Sequence, residues 1–460
     1  MKRKPERRQV VREEFDAVDL GDQRRSKRAK HIADRLAAAP EASLPEAMCD
    51  RAGTEALYRH LESEDVTLDA LLAPHLARTT QRIRQVGVAF AIADTTAFKF
   101  TGEADREGLG PINKTDQGFL AHVTLAVAAD GTRTLLGVLG VENWARAEKK
   151  TAKRPVSESS RWLRGMQAAQ QRAGGASLIH VADRESDIYE LLAELTASGQ
   201  RFILRAAQDR TIVPTEGDER RLFDAVRCQP PAFTMEVPLS PRQNKGNAKQ
   251  DKAFPSRRSR TAQLSFAARS VDLKRPQRVA ATVTAELRVN VVHVFELGPP
   301  LGQTPVEWVL LTTEPIATEQ EVRFVVDGYR TRWLIEEFFK TTKTGCAFES
   351  KQLESLHTLT NLLAYVLVLA YAMLLLRAAS RTGHDESAEA VLTAKQLKLL
   401  RAVTRKMPAN PTVRDALYAL AGLGGHLKNN GDPGWRTLSK GWHKLVAYEA
   451  GYDLALALEK

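Results

Sequence analysis

The sequence predicts an α/β fold, in which a mixed sheet carries a β-rich insertion and helical segments flank the sheet at both ends. Two apolar runs that each end in an acid, residues 86–94 and 177–183, are typical of buried central strands. From residue 86 to residue 206 the predicted order is strand, strand, strand, helix, strand, helix, strand. That order predicts a mixed sheet whose first three strands are antiparallel. The alternation stops at about residue 211, and β-rich segments continue to about residue 318.

The first 80 residues predict a helical domain with a basic surface. Asp22 is a candidate N-cap for a helix that carries Arg24, Arg25 and Arg28, and two further helices are predicted at 54–61 and 68–83. Small basic helical domains often bind DNA through its phosphates. A solvated basic face explains the same pattern, so both interpretations stay open.

The remaining chain divides into a central domain at 81–375 and a helical domain at 376–460. Inside the insertion, a polar loop rich in Lys and Arg is expected to be flexible. The apolar run at 362–376 is short for a membrane span and predicts a buried helix. The apolar residues of the segment 435–458 predict a helix that packs on a second copy of the chain or within its own chain.

Composition narrows the class of partner. The chain has 460 residues and a net charge of +11, which favours an anionic partner, with nucleic acid first. Cys49, Cys228 and Cys346 are far apart and lack metal-ligand spacing, which argues against a disulfide framework and a zinc site. The start of the chain has no apolar core of a secretion signal, so the cell interior is the expected location.

Residues 329–343 predict a helix with an unusual stripe. Because a helix advances about 100° per residue, Tyr329, Arg332, Glu336 and Lys343 fall within roughly 60° of one another. A carboxylate that binds a metal, flanked by cations that bind phosphate, is a plausible arrangement for cutting a nucleic-acid backbone. An amphipathic helix with a salt-bridged outer face is the alternative.

Two further acids extend this hypothesis. Asp94 and Asp183 each lie at the end of a predicted strand, where ligands gather in α/β sheets. Neighbouring carboxylates raise each other's pKa unless a cation lies between them, and Glu336 could supply a third ligand. Hard oxygen ligands suit Mg²⁺ or Mn²⁺, and two such ions support phosphodiester chemistry. A single Asp at a strand end is more often a cap or a turn former.

These motifs together resemble the DDE transposases of the insertion sequence four family. The resemblance rests on Asp94-Thr95-Thr96, on the block 183–189, and on the spacing of the Tyr-Arg-Glu-Lys stripe. Segments 20–28, 307–315 and 422–442 extend it over most of the chain. It implies a ribonuclease-H-like catalytic core with Asp94, Asp183 and Glu336 as ligands of two Mg²⁺ ions, for which Mn²⁺ would substitute.

The resemblance also implies the chemistry and the DNA contacts. A metal-activated water nicks one strand at the transposon end, and the freed 3′-hydroxyl attacks the opposite strand to make a hairpin. A second water opens the hairpin, and the 3′-hydroxyl then attacks target DNA. Trp308 would stack on a base flipped out of the hairpin, where an ordinary buried tryptophan is the alternative. The other implied DNA contacts are Tyr329, Arg332, Lys343, Arg184 and Arg205.

The expected partners are transposon-end DNA, target DNA and a second subunit in a synaptic homodimer, with no membrane. The expected location is the bacterial cytoplasm, in association with the nucleoid. Two other functions stay open: a metal-dependent nuclease or resolvase without strand transfer, and a DNA-binding regulator derived from a transposase. The presence of all three acids argues against the regulator.

Overall fold

The computed structural model describes residues 7–101, 106–146, 158–214, 220–239, 256–382, 387–404, 407–427 and 433–459. Most of the predicted basic loop of the insertion falls outside these ranges. The helices are α1 Arg7–Phe15, α2 Gln23–Ala38, α3 Leu44–Met48, α4 Arg51–Glu62, α5 Leu68–Val86, α6 Arg161–Ala173, α7 Tyr189–Ala197, α8 Leu222–Arg227, α9 Glu319–Thr331, α10 Trp333–Lys340, α11 Leu356–Thr382, α12 Ala394–Val403, α13 Val413–Leu423 and α14 Trp435–Leu458. The strands are β1 Val88–Phe100, β2 Gly110–Pro111, β3 Gln117–Ala128, β4 Leu135–Trp144, β5 Ser177–Ala182, β6 Arg201–Arg205, β7 Phe233–Leu239, β8 Arg260–Lys274, β9 Glu286–Glu296 and β10 Glu307–Thr312.

Within the described residues, ten strands form a mixed sheet in the order β2-β3-β1-β5-β6-β10-β9-β8-β7, with β4 paired to β3. β1, β3 and β4 pair antiparallel, as predicted, and β5 and β6 run parallel to β1. β10 pairs antiparallel with both β6 and β9. The insertion is therefore a continuation of the central sheet, because its last strand is hydrogen-bonded to the last core strand.

The prediction that Asp94 ends a strand is wrong. β1 continues to Phe100, so Asp94 lies in the middle of the strand. Phe98 and Phe100 are fully buried and pack edge-on against Phe348, with Phe119 beside them. Burial of these aromatic side chains extends the strand past the acid, because each removes a large apolar surface from water.

The N-terminal helices share one hydrophobic core with the apolar helix α11. Phe15 stacks on Tyr365 with ring centroids 5.1 Å apart, and Tyr365 hydrogen-bonds to His60 at 2.8 Å. Asn361 donates to the carbonyl groups of Leu61 and Val66 at 2.9 and 2.8 Å. These buried contacts fix the N-terminal helices against the rest of the molecule.

α11 contains the one stretch of the described residues that is long and apolar enough to cross a membrane, and 89% of its most apolar window is buried. It lies among α1, α4 and α5 and against β4. The prediction of a buried core helix is confirmed. The C-terminal helices α12 to α14 form a separate apolar cluster, in which Trp442 and Leu445 are buried within their own chain.

A buried ionic network joins α1 to α5 and β4. The backbone N–H of Val138 donates to His75 Nε2 at 2.9 Å, so the His75 proton is on Nδ1, which lies 2.6 Å from the Glu14 carboxylate. Arg82 binds the other Glu14 oxygen. Burial alone would raise the pKa of Glu14, but hydrogen bonds and charges from His75 and Arg82 hold it below its ordinary value.

Glu14→Ala is expected to lower the free energy of unfolding by about 3–5 kcal/mol, since it leaves His75 and Arg82 without their buried partner. Urea unfolding followed by circular dichroism measures this loss. Arg12→Ala provides the matched control on the same helix, because its ion pair with Asp34 is largely exposed and is worth less than about 1 kcal/mol. Equal losses in the two variants would contradict the importance of the network.

Candidate active site

The sheet places Asp94 and Asp183 side by side. β1 and β5 are parallel neighbours, and Ile92 faces Val181 in their register. Asp94 and Asp183 each follow that pair by two residues, so both side chains lie at the same level of adjacent strands. The Asp183 carboxylate also accepts the backbone N–H of Glu185 at 2.9 Å, which caps the turn after β5.

Helix α10 brings Glu336 to the same place through Arg332. The Arg332 guanidinium lies 3.0 Å from Asp94 Oδ2 and binds Glu336 with its other terminal nitrogen. One guanidinium therefore links the two carboxylates. Gly328 allows this approach, because a Cβ there would lie 2.8 Å from the side chains of Ile203 and Phe90 on the sheet.

The surroundings of Asp94 raise its pKa. Burial and the negative charge of Asp183 raise the pKa of Asp94 to about 6, with a smaller contribution from Glu336. Arg332 and the Thr95 N–H act in the opposite direction. A perturbed carboxyl group of this kind is typical of functional sites, and a cation close to the cluster would favour the ionised form.

The predicted set of three metal ligands is not assembled in this arrangement. Within the ranges that the structure describes, no three Asp, Glu, His or Cys side chains form a group that could hold a metal ion. Arg332 explains this result, because its guanidinium lies between two of the three acids. Carboxylate oxygens from Asp94 and Asp183 on adjacent strands nevertheless fit the donor chemistry of Mg²⁺ or Mn²⁺.

The predicted helical stripe is interrupted twice. α9 ends at Thr331, α10 begins at Trp333, and residues Thr341–Gly345 form a π-helical turn that changes the phase of the following residues. Lys343 consequently donates to the Ala97 carbonyl at 2.7 Å. The Lys343 ammonium therefore lies beside β1 three residues beyond Asp94, and it is separate from the Arg332 bridge.

Most of the other predicted DNA contacts form one group beside the carboxylates. Tyr329 packs edge-on against Trp308 with ring centroids 5.6 Å apart. Burial lowers the pKa of Arg205, and the nearby positive charges of Arg184 and Arg332 lower it further. Tyr329 raises this pKa. Arg184 is exposed and Arg205 is half-buried, with Arg205 donating to the Glu307 carbonyl at 3.1 Å.

A cavity of about 430 Å³ opens between the insertion and α9. Trp308 is half-buried and lines this cavity, together with apolar side chains of β7 and β8 and with Arg184 and Arg205. Its indole is therefore not fully buried in the sheet core. This differs from the alternative interpretation of the sequence, in which Trp308 was an ordinary buried tryptophan. An aromatic wall beside guanidinium groups is suited to an unstacked base and its phosphate.

The N-terminal arginines have different surroundings. Asp22 caps α2 by accepting the backbone N–H groups of Arg24 and Arg25, as predicted. Arg25 binds Asp65 and donates to the Leu20 carbonyl at 2.7 Å, whereas Arg24 and Arg28 are exposed. Arg24 and Arg28 are thus better placed to contact an external phosphate.

Arg161, which the sequence pattern did not indicate as a site residue, joins the two aspartate segments. Arg161 Nε donates to Thr95 Oγ1 at 2.8 Å, and its Nη2 binds Glu185 at 2.5 Å. Thr95 is the residue directly after Asp94, and Glu185 is two residues after Asp183. One guanidinium group therefore orients both segments. The Arg-Trp pair at the start of a predicted helix gave no indication of this role, because the contacts are long-range.

Trp333, directly after Arg332, was not predicted as a site residue and is 61% exposed. Exposed tryptophans are uncommon because the indole is largely apolar. A large aromatic surface next to the carboxylate cluster is available for stacking on a base.

Two comparisons with protein families agree with this geometry. Residues 7–66 match the family model described as transposase DNA-binding, and residues 147–373 match the one described as transposase DDE domain. The first match covers the basic N-terminal helices, and the second covers Asp183 and Glu336. Together they indicate a DNA transposase of the DDE class, with a DNA-binding region and a DDE domain.

One solved structure overlaps with the chain at low similarity. It is a piggyBac transposase synaptic complex with hairpin DNA, determined by cryo-electron microscopy. The identity is 10%, the overlap covers 81% of this chain and 72% of that chain, and the TM-score is 0.35. A TM-score this low carries no argument about the present chain.

Arg161→Ala is expected to slow DNA cleavage about 10- to 100-fold, as is typical when the groups that orient active-site ligands are removed. DNA affinity should stay unchanged, because Arg161 is buried, and Arg161→Lys should restore part of the rate. A single-turnover cleavage assay with a parallel binding measurement separates these effects. Arg164→Ala, which removes an exposed arginine from the same helix, is the control. Equal rates in the two alanine variants would contradict the assigned role.

Proposed function

We propose that this protein is a cut-and-paste transposase that nicks transposon ends, forms and resolves a hairpin, and transfers the 3′-hydroxyl strand to target DNA. The proposal is supported mainly by the proximity of Asp94 and Asp183, and by Arg332, which links Asp94 to Glu336. Its core is ribonuclease-H-like in this proposal, with three antiparallel strands followed by two parallel ones. The bacterial cytoplasm, in contact with the nucleoid, is the proposed location.

Asp94 and Asp183 would hold a divalent cation, Mg²⁺ or Mn²⁺, and a pair of ions is possible once Glu336 joins them. A bound cation would supply the Lewis acidity that phosphodiester cleavage requires. Arg332 can turn from the two carboxylates to a DNA phosphate, because a phosphate offers the same bidentate acceptor geometry. That movement would release Glu336 as a ligand when DNA is bound.

The nucleophile and the leaving group then follow from strand chemistry. In the first step a water oxygen bonds to the phosphorus at the transposon end, and the 3′-oxygen leaves as a hydroxyl. In the second step that hydroxyl attacks the opposite strand, which closes the hairpin and expels a second 3′-hydroxyl. Trp308 would stack on the base that leaves the helix at the tight hairpin turn. Arg184, Arg205 and Lys343 would hold the adjacent phosphates.

A synaptic homodimer is proposed from the C-terminal helix. The last two turns of α14 carry exposed apolar side chains, with Leu454 and Leu458 62% and 79% exposed. Tyr448 and Leu456 are exposed on the same helix. Pairing of this segment in two subunits would bury its apolar side chains and match the two-fold relation of inverted transposon ends.

Asp183→Asn and Glu336→Gln are each expected to abolish cleavage of end-bearing DNA in Mg²⁺ while retaining its binding. The reason is that each change removes a negative ligand and keeps the volume of the side chain. Denaturing gels measure cleavage, and fluorescence anisotropy in EDTA measures binding. Glu337→Gln, which alters the neighbouring carboxylate that pairs with Arg377, is the control. Wild-type nicking by either active-site variant would refute the ligand assignment.

The wild-type reaction also separates the candidate enzymes. A covalently closed hairpin and joined products are expected of a transposase, whereas a nuclease or resolvase would leave open ends alone. A regulator derived from a transposase would leave the DNA intact.

Trp308→Ala is expected to reduce hairpin formation about tenfold or more, since base stacking on an aromatic side chain is worth about 1–3 kcal/mol. The first nick should change little, because it precedes the distortion of the duplex end. Quantifying nicked and hairpin products over time distinguishes the two steps. Trp308→Phe should retain most hairpin formation. An equal loss of nicking and hairpin formation in Trp308→Ala would show that the residue acts elsewhere.

A further inference from the structure

A second cavity, of about 530 Å³, lies beside the end of β6 and the hairpin between β8 and β9. We refer to it as the basic groove. Five of its lining residues are cationic and one is acidic. They are Arg210, Arg221, Lys274, Arg275, Arg278 and Asp209. The family comparisons and the proposed chemistry assign no role to it.

Two of the five groove cations are salt-bridged, Arg221 to Asp209 and Arg210 to Asp187. Within the described residues, Lys274, Arg275 and Arg278 form no salt bridge. Arg275 donates to the carbonyl groups of Ala281 and Val283, and Arg278 donates to the neutral Gln208 side chain at 3.1 Å. Neither contact cancels a charge. The basic groove therefore has a surplus of positive charge, which an anionic partner would neutralise.

Arginines elsewhere in the insertion differ in this respect. Arg227 pairs with Glu307, and Arg288 pairs with Asp272. Arg260 pairs with Glu296. Arg275 and Arg278 differ from these salt-bridged arginines, because their contacts are with carbonyl groups and a neutral amide.

A buried guanidinium group supplies an independent indication of a ligand. Arg210 is 4% exposed, lines the groove, and pairs with Asp187 through one side of its guanidinium. Its Nη1 is buried and has no hydrogen-bond acceptor within the described residues. A buried N–H group without an acceptor costs about 1–3 kcal/mol. A phosphate oxygen in the groove would provide an acceptor after a small rotation of the side chain.

The groove is connected to the carboxylate cluster by a short chain of contacts. Asp187, four residues after Asp183, accepts the backbone N–H of Gln208 at 2.8 Å. Gln208 in turn binds Arg278. These contacts join the segment that follows Asp183 to the residues of the groove.

We infer that the basic groove binds the phosphate backbone of DNA that continues past the scissile phosphate. The inference rests on the proposed function, since it places the cut at Asp183. Two segments of DNA share this chemistry: the donor DNA that flanks the transposon end, and the target DNA. Contacts to phosphates alone would be independent of base sequence, which suits either segment.

The test uses the full chain, with Lys274→Ala and Arg278→Ala compared with Arg288→Ala. All three changes remove one exposed cation from the same hairpin region, but Arg288 does not line the groove. Binding is measured by fluorescence anisotropy in EDTA over a series of KCl concentrations. The probes are a duplex of arbitrary sequence, the terminal inverted repeat with flanking DNA, and the same repeat without it.

Each groove variant is expected to reduce the slope of log K against log salt by about 0.9, because one phosphate contact is lost. Arg288→Ala should keep the wild-type slope. A reduced slope with the arbitrary duplex identifies target DNA, and a reduced slope with the flanked repeat alone identifies donor DNA. Unchanged slopes with all probes, or a reduced slope with the unflanked repeat, would overturn the inference.

A cross-linking experiment gives a second, positional readout. Gln277→Cys, in a chain whose exposed Cys49 and Cys228 are replaced by Ser, should form a disulfide with DNA that carries a thiol tether past the cut. Cross-links only to positions inside the transposon end would contradict binding of the DNA past the cut in the groove. Hairpin and joined products from the wild-type protein test the proposed function separately, so the two ideas can fail independently.

Discussion

The arrangement of the site depends on the repulsion that Asp94 experiences from two other carboxylates, those of Asp183 and Glu336. Asp94 and Asp183 are fixed by adjacent parallel strands, and Glu336 is carried by a helix that packs closely on the same sheet. Arg332 offsets this repulsion by lying between Asp94 and Glu336. An isolated buried charge would be costly, and a shared cation reduces that cost. The same constraint explains why a positively charged partner or a phosphate should reorganise the cluster.

The pairing of β10 with β6 has a comparable influence on the DNA-facing surface. Through this pairing the insertion continues the central sheet, and Trp308 at the start of β10 comes next to Tyr329 on α9. Arg205 at the end of β6 donates to the backbone carbonyl of Glu307 in β10. The aromatic wall and the guanidinium groups are therefore held by sheet hydrogen bonds, which position them relative to the aspartates.

Local patterns in the sequence predicted much of this architecture. Apolar runs located β5 and the antiparallel strands, and the Asp22 cap located the start of α2. Long-range features were not accessible: the aromatic packing of Phe98 and Phe100 extends β1 past Asp94, and the π-helical turn moves Lys343 off the predicted stripe. Arg161 and the Arg332 bridge also depend on residues far apart in the chain. Such contacts arise from tertiary packing, which neither periodicity nor capping motifs encode.

The buried contacts between the N-terminal helices and α11, through Phe15, His60 and Asn361, constrain where bound DNA would be cut. The basic N-terminal helices are docked on the body that carries Asp94 and Asp183. Under the proposed function, the separation between the bound DNA sequence and the cut would therefore be set by protein dimensions. The protein would then fix both the distance and the rotation angle between these two points on the duplex. One extra base pair between the two points would rotate the scissile phosphate by about 35° around the duplex axis, away from the aspartates.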